Sequence, residues 1–390
     1  MSNDRSIFTV EGVFYVEQKI YRDTWAEINL GAIEHNVKEM KKKLPETSQI
    51  MAVVKANGYG HGAVPVAKKA ITSGATCIAV ALLEEAITLR EAGIDVPILV
   101  LGWVSPDHAH VAAKYDITLT MFQDDWLMNL PENLPNRLKV HMKWDTGMGR
   151  IGIRTNKQLK RILHALNQNS HIQLTGVYTH FATADESDLT YFHEQLERFE
   201  AMLHDFRELW PQDIAIHIGN SAASIRFPKK MHHYIRFGVS MYGLYPSKVL
   251  REEREIHLKQ AFSLHSRLSH VKKIRKGETV SYGRTYTADS DEWIGTIPIG
   301  YGDGWRRQLQ GIDVLINGKR MPIAGRICMD QTMIKLDQQY PVGTKVTLIG
   351  KQHKQTIDMD EIADYIDTIN YEIPCMITSR VPRIYEDINS

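Results

Sequence analysis

Lys55 ends a short apolar run, Met51-Ala-Val-Val-Lys55, and is followed at once by Ala-Asn-Gly58-Tyr59-Gly60-His61-Gly62. The run is β-branched and strand-like. A lysine closing such a strand sits at the mouth of a core, where burial lowers its pKa and frees the amine to condense with a carbonyl. The alternate glycines let the backbone approach a ligand closely, and Tyr59 offers a hydroxyl to the same space. Together these residues suit a ligand that carries an aldehyde and a phosphate. Taken singly, the same letters also describe a surface lysine followed by a turn.

Four further segments place polar groups where chemistry is done. Lys143-Trp-Asp-Thr-Gly-Met-Gly149-Arg150 closes an apolar run on a glycine turn that projects an arginine, and Val177-Tyr-Thr-His180 closes another on a histidine. His217-Ile-Gly-Asn220-Ser221 leads into a helix start whose hydroxyl and amides suit an anion, and Arg236-Phe-Gly238-Val239 adds a second arginine. Each alone reads as an ion pair, turn or cap. Their recurrence on successive strand ends, beside Lys55, favours a site.

The elements that must carry these residues alternate. Strand candidates at 50–55, 76–82, 97–102, 117–122, 138–144, 174–180, 214–218 and 234–242 are interleaved with helix-like segments such as 32–44, 84–92 and 189–209. Near-continuous apolar strands alternating with helices imply a parallel sheet covered by helices, and eight such units fit a closed (β/α)8 TIM-type barrel. With 24–30 there are nine candidates for eight places, so one belongs elsewhere. After Pro246 the texture changes to short β-rich runs at 261–274, 293–299, 314–316, 323–324 and 346–349, with Asn317-Gly318 as a hairpin signal. The expected architecture is α/β: a barrel over 31–250 carrying Lys55, and an all-β C-terminal domain over 251–390 joined by the N-terminal segment 1–30. Residues 6–17 alternate loosely, as an edge strand or ordered arm would.

Composition narrows the function classes. A chain of 390 residues exceeds the roughly 250–300 at which single cores stop growing. The formal charge of +1 implies no general attraction to nucleic acid or to an anionic membrane. Three scattered cysteines without CxxC spacing argue against a disulfide framework or a zinc site, and the paired His108/His110 and His232/His233 lack a carboxylate cluster, so no metal is expected. The charged residues Asp4, Arg5 and Glu11 interrupt any signal-peptide core, and no run is long enough to span a bilayer. A cytoplasmic enzyme is expected.

The lysine segment, Val-Val-Lys55-Ala-Asn-Gly-Tyr-Gly-His-Gly, resembles the pyridoxal-phosphate lysine segment of the alanine racemase family, departing mainly at Gly58. The four polar segments match the same pattern, as do Ser281-Tyr282-Gly283, Ile299-Gly-Tyr301-Gly-Asp-Gly304, Gly325-Arg326-Ile-Cys328-Met329-Asp330 and Ile369-Asn-Tyr371-Glu372. The resemblance covers about residues 22 to 385. It implies that the lysine-bearing strand is the first of the barrel, which assigns 24–30 to the second domain. It also implies a homodimer with shared active sites, acting on L- and D-alanine and supplying D-alanine for bacterial peptidoglycan.

By the same resemblance, Lys55 holds pyridoxal 5'-phosphate and Tyr282, from the partner chain, is the opposing base. Tyr59, Ser221, the Gly238 and Val239 amides and Tyr371 are implied around the phosphate, with Asn220 also among the cofactor-binding residues. Arg236 faces the pyridine nitrogen, His180 links it to Tyr282, and Arg150 with the Met329 amide meets the substrate carboxylate. His217, Cys328 and Asp330 are implied as supporting residues, and Lys143 as a site of carbamylation. Asp185, Tyr301, Arg307, Arg326 and Ile369 match the family's access channel. A serine or broad-range racemase, a decarboxylase of similar architecture and a non-catalytic cofactor carrier remain as rival readings.

Overall fold

The computed structural model describes residues 20–387. The arm read at 6–17 lies outside them. Contacts divide the chain into two compact units: one holds Ile28–Phe262 with the residues from Tyr385, the other Ser263–Ile384 with the chain up to Glu27.

Strand β1 (Thr24–Asn29) belongs to the β-rich part, and the next eight close a barrel: β2 (Gln49–Val53), β3 (Ala75–Val80), β4 (Ile98–Val100), β5 (Ile117–Met121), β6 (Leu138–Lys143), β7 (Ile172–Tyr178), β8 (Ala215–Gly219) and β9 (Tyr234–Phe237). All neighbours run parallel, and β2 pairs with β9 through Ile50–Ile235 and Met51–Arg236. Every residue of β5 is buried, which explains why these strands read as continuous apolar runs. Alternate residues divide the packing. Ile50, Ala52, Ile78, Val80, Ile98 and Val100 join the large cluster that includes the helices, whereas Met51, Val53, Cys77, Ala79 and Leu99 cluster separately. On the opposite strands the corresponding face carries buried His141, Lys143, His217 and Arg236. The barrel is therefore apolar inside on β2–β4 and polar on β6–β9.

Two of the boundaries that differ from the sequence reading bear on the candidate site. The strand expected over 234–242 stops at Phe237, because Gly238 (φ −105°, ψ −108°) leaves the extended region and starts a 3-10 turn, Val239–Tyr242. The lysine strand stops at Val53, and Lys55 opens a compact turn, Lys55–Tyr59. Within it Ala56, Asn57, Gly58 and Tyr59 all have φ between 50° and 61°. Four consecutive left-handed residues form a reversed turn, which costs non-glycine residues on the order of 1–2 kcal/mol each. Glycine at 58 lowers that cost at one position.

In the β-rich unit the strands continue in chain order: β10 (Phe262–Arg267), β11 (His270–Ile274), β12 (Thr279–Val280), β13 (Tyr286–Thr287), β14 (Glu292–Ile297), β15 (Asp313–Ile316), β16 (Lys319–Pro322), β17 (Thr332–Leu336), β18 (Lys345–Gln352), β19 (Gln355–Ile357) and β20 (Arg383–Glu386). One sheet has the order β16-β15-β18-β10-β1-β20 with β19 on β18, a second is β11-β14-β17, and β12 pairs with β13. Asn317 (φ 49°) and Gly318 (φ 75°) turn the β15–β16 hairpin, both left-handed as a type I′ turn requires. The unit is not wholly β. Met359–Tyr365 is a helix whose N-cap Asp358 accepts from the Glu361 amide at 2.8 Å, a capping signal that the strand-centred reading overlooked.

Candidate active site

Arg236 organises the polar half of the barrel. It is 4% exposed, yet its two terminal nitrogens find five acceptors. Nη1 donates to His217 Nδ1 (2.8 Å) and to the His217 carbonyl (2.9 Å); Nη2 donates to the carbonyls of Thr179 (2.7 Å) and Ile218 (3.2 Å) and to His180 Nδ1 (3.2 Å). Among the described residues Nε–H has no such partner, and it is the donor left for a ligand.

Because a guanidinium only donates, these bonds fix tautomers. His217 Nδ1 must accept, so Nε2 carries the proton and donates to His141 Nδ1 at 2.9 Å. His180 Nδ1 must accept as well, leaving Nε2–H as its donor. Burial first, then Arg236, holds both His180 and His217 well below the usual imidazole range, and pushes His141 down to about 3. All three are neutral. The sequence reading missed His141, although it stands two residues before Lys143 and the strand period of two puts both on one face.

Tyr178 lies flat on His217 (centroids 4.6 Å apart, 12° between planes) and bonds Thr120 Oγ1 at 2.7 Å. Lys143 Nζ sits 5.3 Å from the Tyr178 ring centre and donates to the Trp144 carbonyl at 2.8 Å. Burial first, then Arg236, pushes the Lys143 amine down to about 7. Beyond it Asp145 Oδ1 accepts from the amides of Gly147 (3.1 Å) and Gly149 (2.9 Å), shaping the turn that presents the exposed Arg150. Asp145 also escaped the sequence reading, because a carboxylate amid glycines carries no signal until the turn closes on it.

A second cluster surrounds Gly238. Its amide donates to Ser221 Oγ at 3.0 Å, and a Cβ placed on Gly238 would lie 2.9 Å from the Tyr59 hydroxyl. Two hydroxyls and a bare backbone thus converge from the ends of β2, β8 and β9. Asn220 contributes differently from what was expected. Its side chain caps the helix Ser221–Arg226 by accepting from the Ala223 amide (2.9 Å) and donates to the Phe181 carbonyl (3.3 Å). Lys55 is half-buried, with Nζ 5.9 Å from the Tyr59 ring centre. Asp185 lies after β7, where its carbonyl accepts from Ser247 Oγ at 2.6 Å.

The remaining residues lie in the β-rich unit. Tyr282 is 70% exposed on a turn that follows the left-handed Ser281. A Cβ on Gly283 would fall 2.9 Å from Arg326 Nη1, so glycine leaves room for that guanidinium beside Tyr282. The amides of Tyr301 and Gly302 donate to the carbonyls of Cys328 (3.0 Å) and Met329 (2.9 Å), which brings those segments together. Asp330 pairs with Arg380 at 2.7 Å. Arg307 begins a 3-10 turn, Ile369 is exposed, and Tyr371 precedes the short helix Glu372–Met376.

An eight-stranded parallel barrel with a lysine after its first strand, and with paired hydroxyls, a bare backbone and a buried arginine on its last two, defines a barrel of the kind that carries an active site at its strand ends. Residues 28–246 match the family described as "Alanine racemase, N-terminal domain" and residues 261–385 the one described as "Alanine racemase, C-terminal domain". An alanine racemase of Bacillus subtilis (strain 168) is 52% identical over 94% of this chain and 93% of its own length. A crystal structure of alanine racemase from Bacillus anthracis with bound L-Ala-P superposes with a TM-score of 0.93 at 47% identity, covering 95% of this chain and 97% of that one. A histidine racemase from Leuconostoc mesenteroides subsp. sake gives 0.87 at 32% identity over 95% and 99% of the two chains. The chain belongs to the alanine racemase family.

Proposed function

We propose that the chain interconverts L-alanine and D-alanine with pyridoxal 5'-phosphate, removing the α-proton on one face and returning one on the other. The observation that carries this reading is the convergence of Tyr59, Ser221 and Gly238 at the ends of β2, β8 and β9, with Lys55 beside Tyr59 and the buried Arg236 on β9. The cradle at Gly238 fits a phosphate, since any side chain there would close it, and Ser221 keeps a hydroxyl proton to donate. When bound, the cofactor supplies an aldehyde that joins the substrate amine and a ring that draws electrons from the α C–H bond.

The side chains do the rest. Lys55 would hold the cofactor through its aldehyde and, as a free amine, would handle the α-proton on one face. Tyr282 of a second copy serves the other face; its exposure, with that of Met329 (53%) and Ile369 (62%), suits a surface shared between copies. Serving as a base requires the tyrosine's phenolate, so that anion must be stabilised. His180, neutral with Nε2–H as donor, does this by hydrogen bonding, and Arg236 behind it supplies the charge. Arg236 would offer its remaining Nε–H to the cofactor's ring nitrogen; because a guanidinium only donates, it would favour an unprotonated ring, which withdraws electrons less and favours proton return.

Arg150, helped by the Met329 amide, orients the substrate carboxylate, and Tyr371 adds a hydroxyl at the phosphate. Asp185, Tyr301, Arg307, Arg326 and Ile369 line the approach. Among the described residues no helix is long and apolar enough to cross a membrane, which suits a cytoplasmic enzyme feeding D-alanine to peptidoglycan synthesis.

Lys143 is suited to carbamylation because the neutral amine is the form that attacks carbon dioxide, and this amine titrates near 7. With 13C-bicarbonate, a carbamate carbon signal is expected that grows as pH rises through about 7 and is absent in Lys143→Arg. Without carbon dioxide, the unfolded lysine keeps its proton to about 10.5 while the folded one releases it near 7. The unfolded state therefore binds more protons in that window, and folding stability rises with pH across it. Lys143→Met should remove that slope; an unchanged slope would refute the depressed amine.

Incubating the protein and cofactor with L-alanine in heavy water tests the function. D-alanine bearing α-deuterium is expected. Deuterated L-alanine without inversion would leave one base working and remove Tyr282 from its role, and no exchange would overturn the reading. L-serine and L-histidine in the same assay measure substrate range.

A further inference from the structure

Glu85 is the third residue of the helix Leu83–Glu91, which follows β3. One carboxylate oxygen, Oε2, accepts from the amides of Ala81 (2.8 Å) and Leu82 (3.1 Å), a local arrangement that fixes the helix start. The other, Oε1, leaves its own loop and accepts from the Ala56 amide at 2.6 Å. Ala56 is the residue after Lys55 and the first of the four left-handed residues. The turn's own bonds run from the Gly58 amide to the Val54 carbonyl (2.8 Å) and from the Gly60 amide to the Ala56 carbonyl (2.9 Å). Neither uses the Ala56 N–H. The carboxylate is thus the group that ties the first reversed residue to the neighbouring strand unit, through a charge-assisted bond.

We propose that Glu85 is a positioning residue for Lys55, holding the left-handed turn in the conformation that aims the lysine amine and Tyr59 into the barrel mouth. The inference rests on the reading of Lys55 as the cofactor lysine. Three of the four reversed residues, Ala56, Asn57 and Tyr59, are not glycine, so the turn tends to revert to right-handed dihedrals once its anchor is lost. Reversion at Ala56 would redirect the chain immediately after Lys55 and carry Tyr59 away from Gly238. Because β2 and β3 are adjacent, the anchor spans a short gap between two loops that the barrel already places side by side. A carboxylate meets both sets of N–H donors at once. Glutamine cannot, since it has one acceptor end and would set an N–H against an N–H at the other.

The test compares Glu85→Gln and Glu85→Asp with the parent and with Glu84→Gln, whose side chain is exposed on the same helix. Two quantities are measured: hydrogen exchange of the peptide spanning residues 54–60 in the cofactor-free protein, and the rate at which added pyridoxal phosphate becomes fixed to Lys55 on borohydride reduction, read by peptide mass. The lysine amine adds to the aldehyde and releases one water, and reduction makes the bond permanent. In Glu85→Gln, exchange at Ala56 should quicken and fixation should slow about tenfold or more, while Glu84→Gln stays at the parent values. Should Glu85→Gln not fold, Glu85→Asp keeps the charge but is too short for both ends, and is expected to show the same pair of changes. Parent-like fixation with unchanged exchange in a folded variant would overturn the proposal and leave Glu85 a helix cap. If the parent itself fixes no cofactor on Lys55, the proposed function fails, whereas the exchange result still decides whether Glu85 holds the turn.

Discussion

Lys55→Ala is expected to lower the α-proton exchange of alanine by up to about ten-thousand-fold while leaving the folded structure intact, because the lost amine both secures the cofactor and moves a proton. The substituted residue is half-buried at the head of a turn, outside both core clusters, so its truncation opens no cavity there. Cofactor held only by Tyr59, Ser221 and Gly238 should still bind, but more weakly and without covalent attachment. The check is heavy-water exchange of both enantiomers, with cofactor retention measured separately. Added methylamine should restore part of the cofactor chemistry, and less of the proton transfer, because a free amine is not oriented. Exchange within about tenfold of the parent would remove Lys55 from the mechanism.

Arg236→Gln is expected to lose both stability and activity, and through different atoms. The terminal nitrogens satisfy the carbonyls of Thr179, His217 and Ile218, all inside the barrel. A shorter amide cannot reach all of them, and each buried acceptor left unpaired costs about 1–3 kcal/mol. A loss of about 3–5 kcal/mol in denaturant unfolding of the cofactor-free protein is the expected result. Separately, His217 Nδ1 loses the donor that fixed its tautomer, and the Nε–H proposed to meet the cofactor ring is lost, so exchange activity should fall about a hundred- to thousandfold at temperatures where the variant is folded. Arg236→Lys keeps the charge but offers one nitrogen in place of three, and should recover more stability than activity. If activity fell while stability stayed at the parent value, the carbonyl-bracing role would be wrong.

Much of the fold was legible because each strand advertises itself. β-Branched runs such as 117–121 and the strand-helix rhythm can be satisfied only by a sheet buried on both faces. Asn317-Gly318 specified a hairpin because few other pairs tolerate two left-handed residues in succession. The lysine, the two arginines and the glycine turns at strand ends were visible for the same reason: charge and glycine interrupt an apolar pattern. Less legible were groups that act across the sequence. Glu85 looks like an ordinary acidic first-turn residue, and nothing near it points to Ala56, 29 positions away. Asn220 and Asp330 were carried over by motif position, and their observed bonds to a helix end and to Arg380 are not readable from the sequence.

The sequence by itself determined the architecture, because periodicity is a local property that survives without a third dimension, and it marked candidate reactive groups through residue chemistry and motif resemblance. Protonation and aim were decided only by the tertiary structure. Lys143, His180, His217 and Arg236 come from four different strand units, and a pKa or tautomer depends on which charges and donors stand within a few ångströms in a dry interior. Closing the barrel brings Arg236 against two imidazoles and three carbonyls at once. That closure makes the histidines neutral and drives the Lys143 amine toward 7.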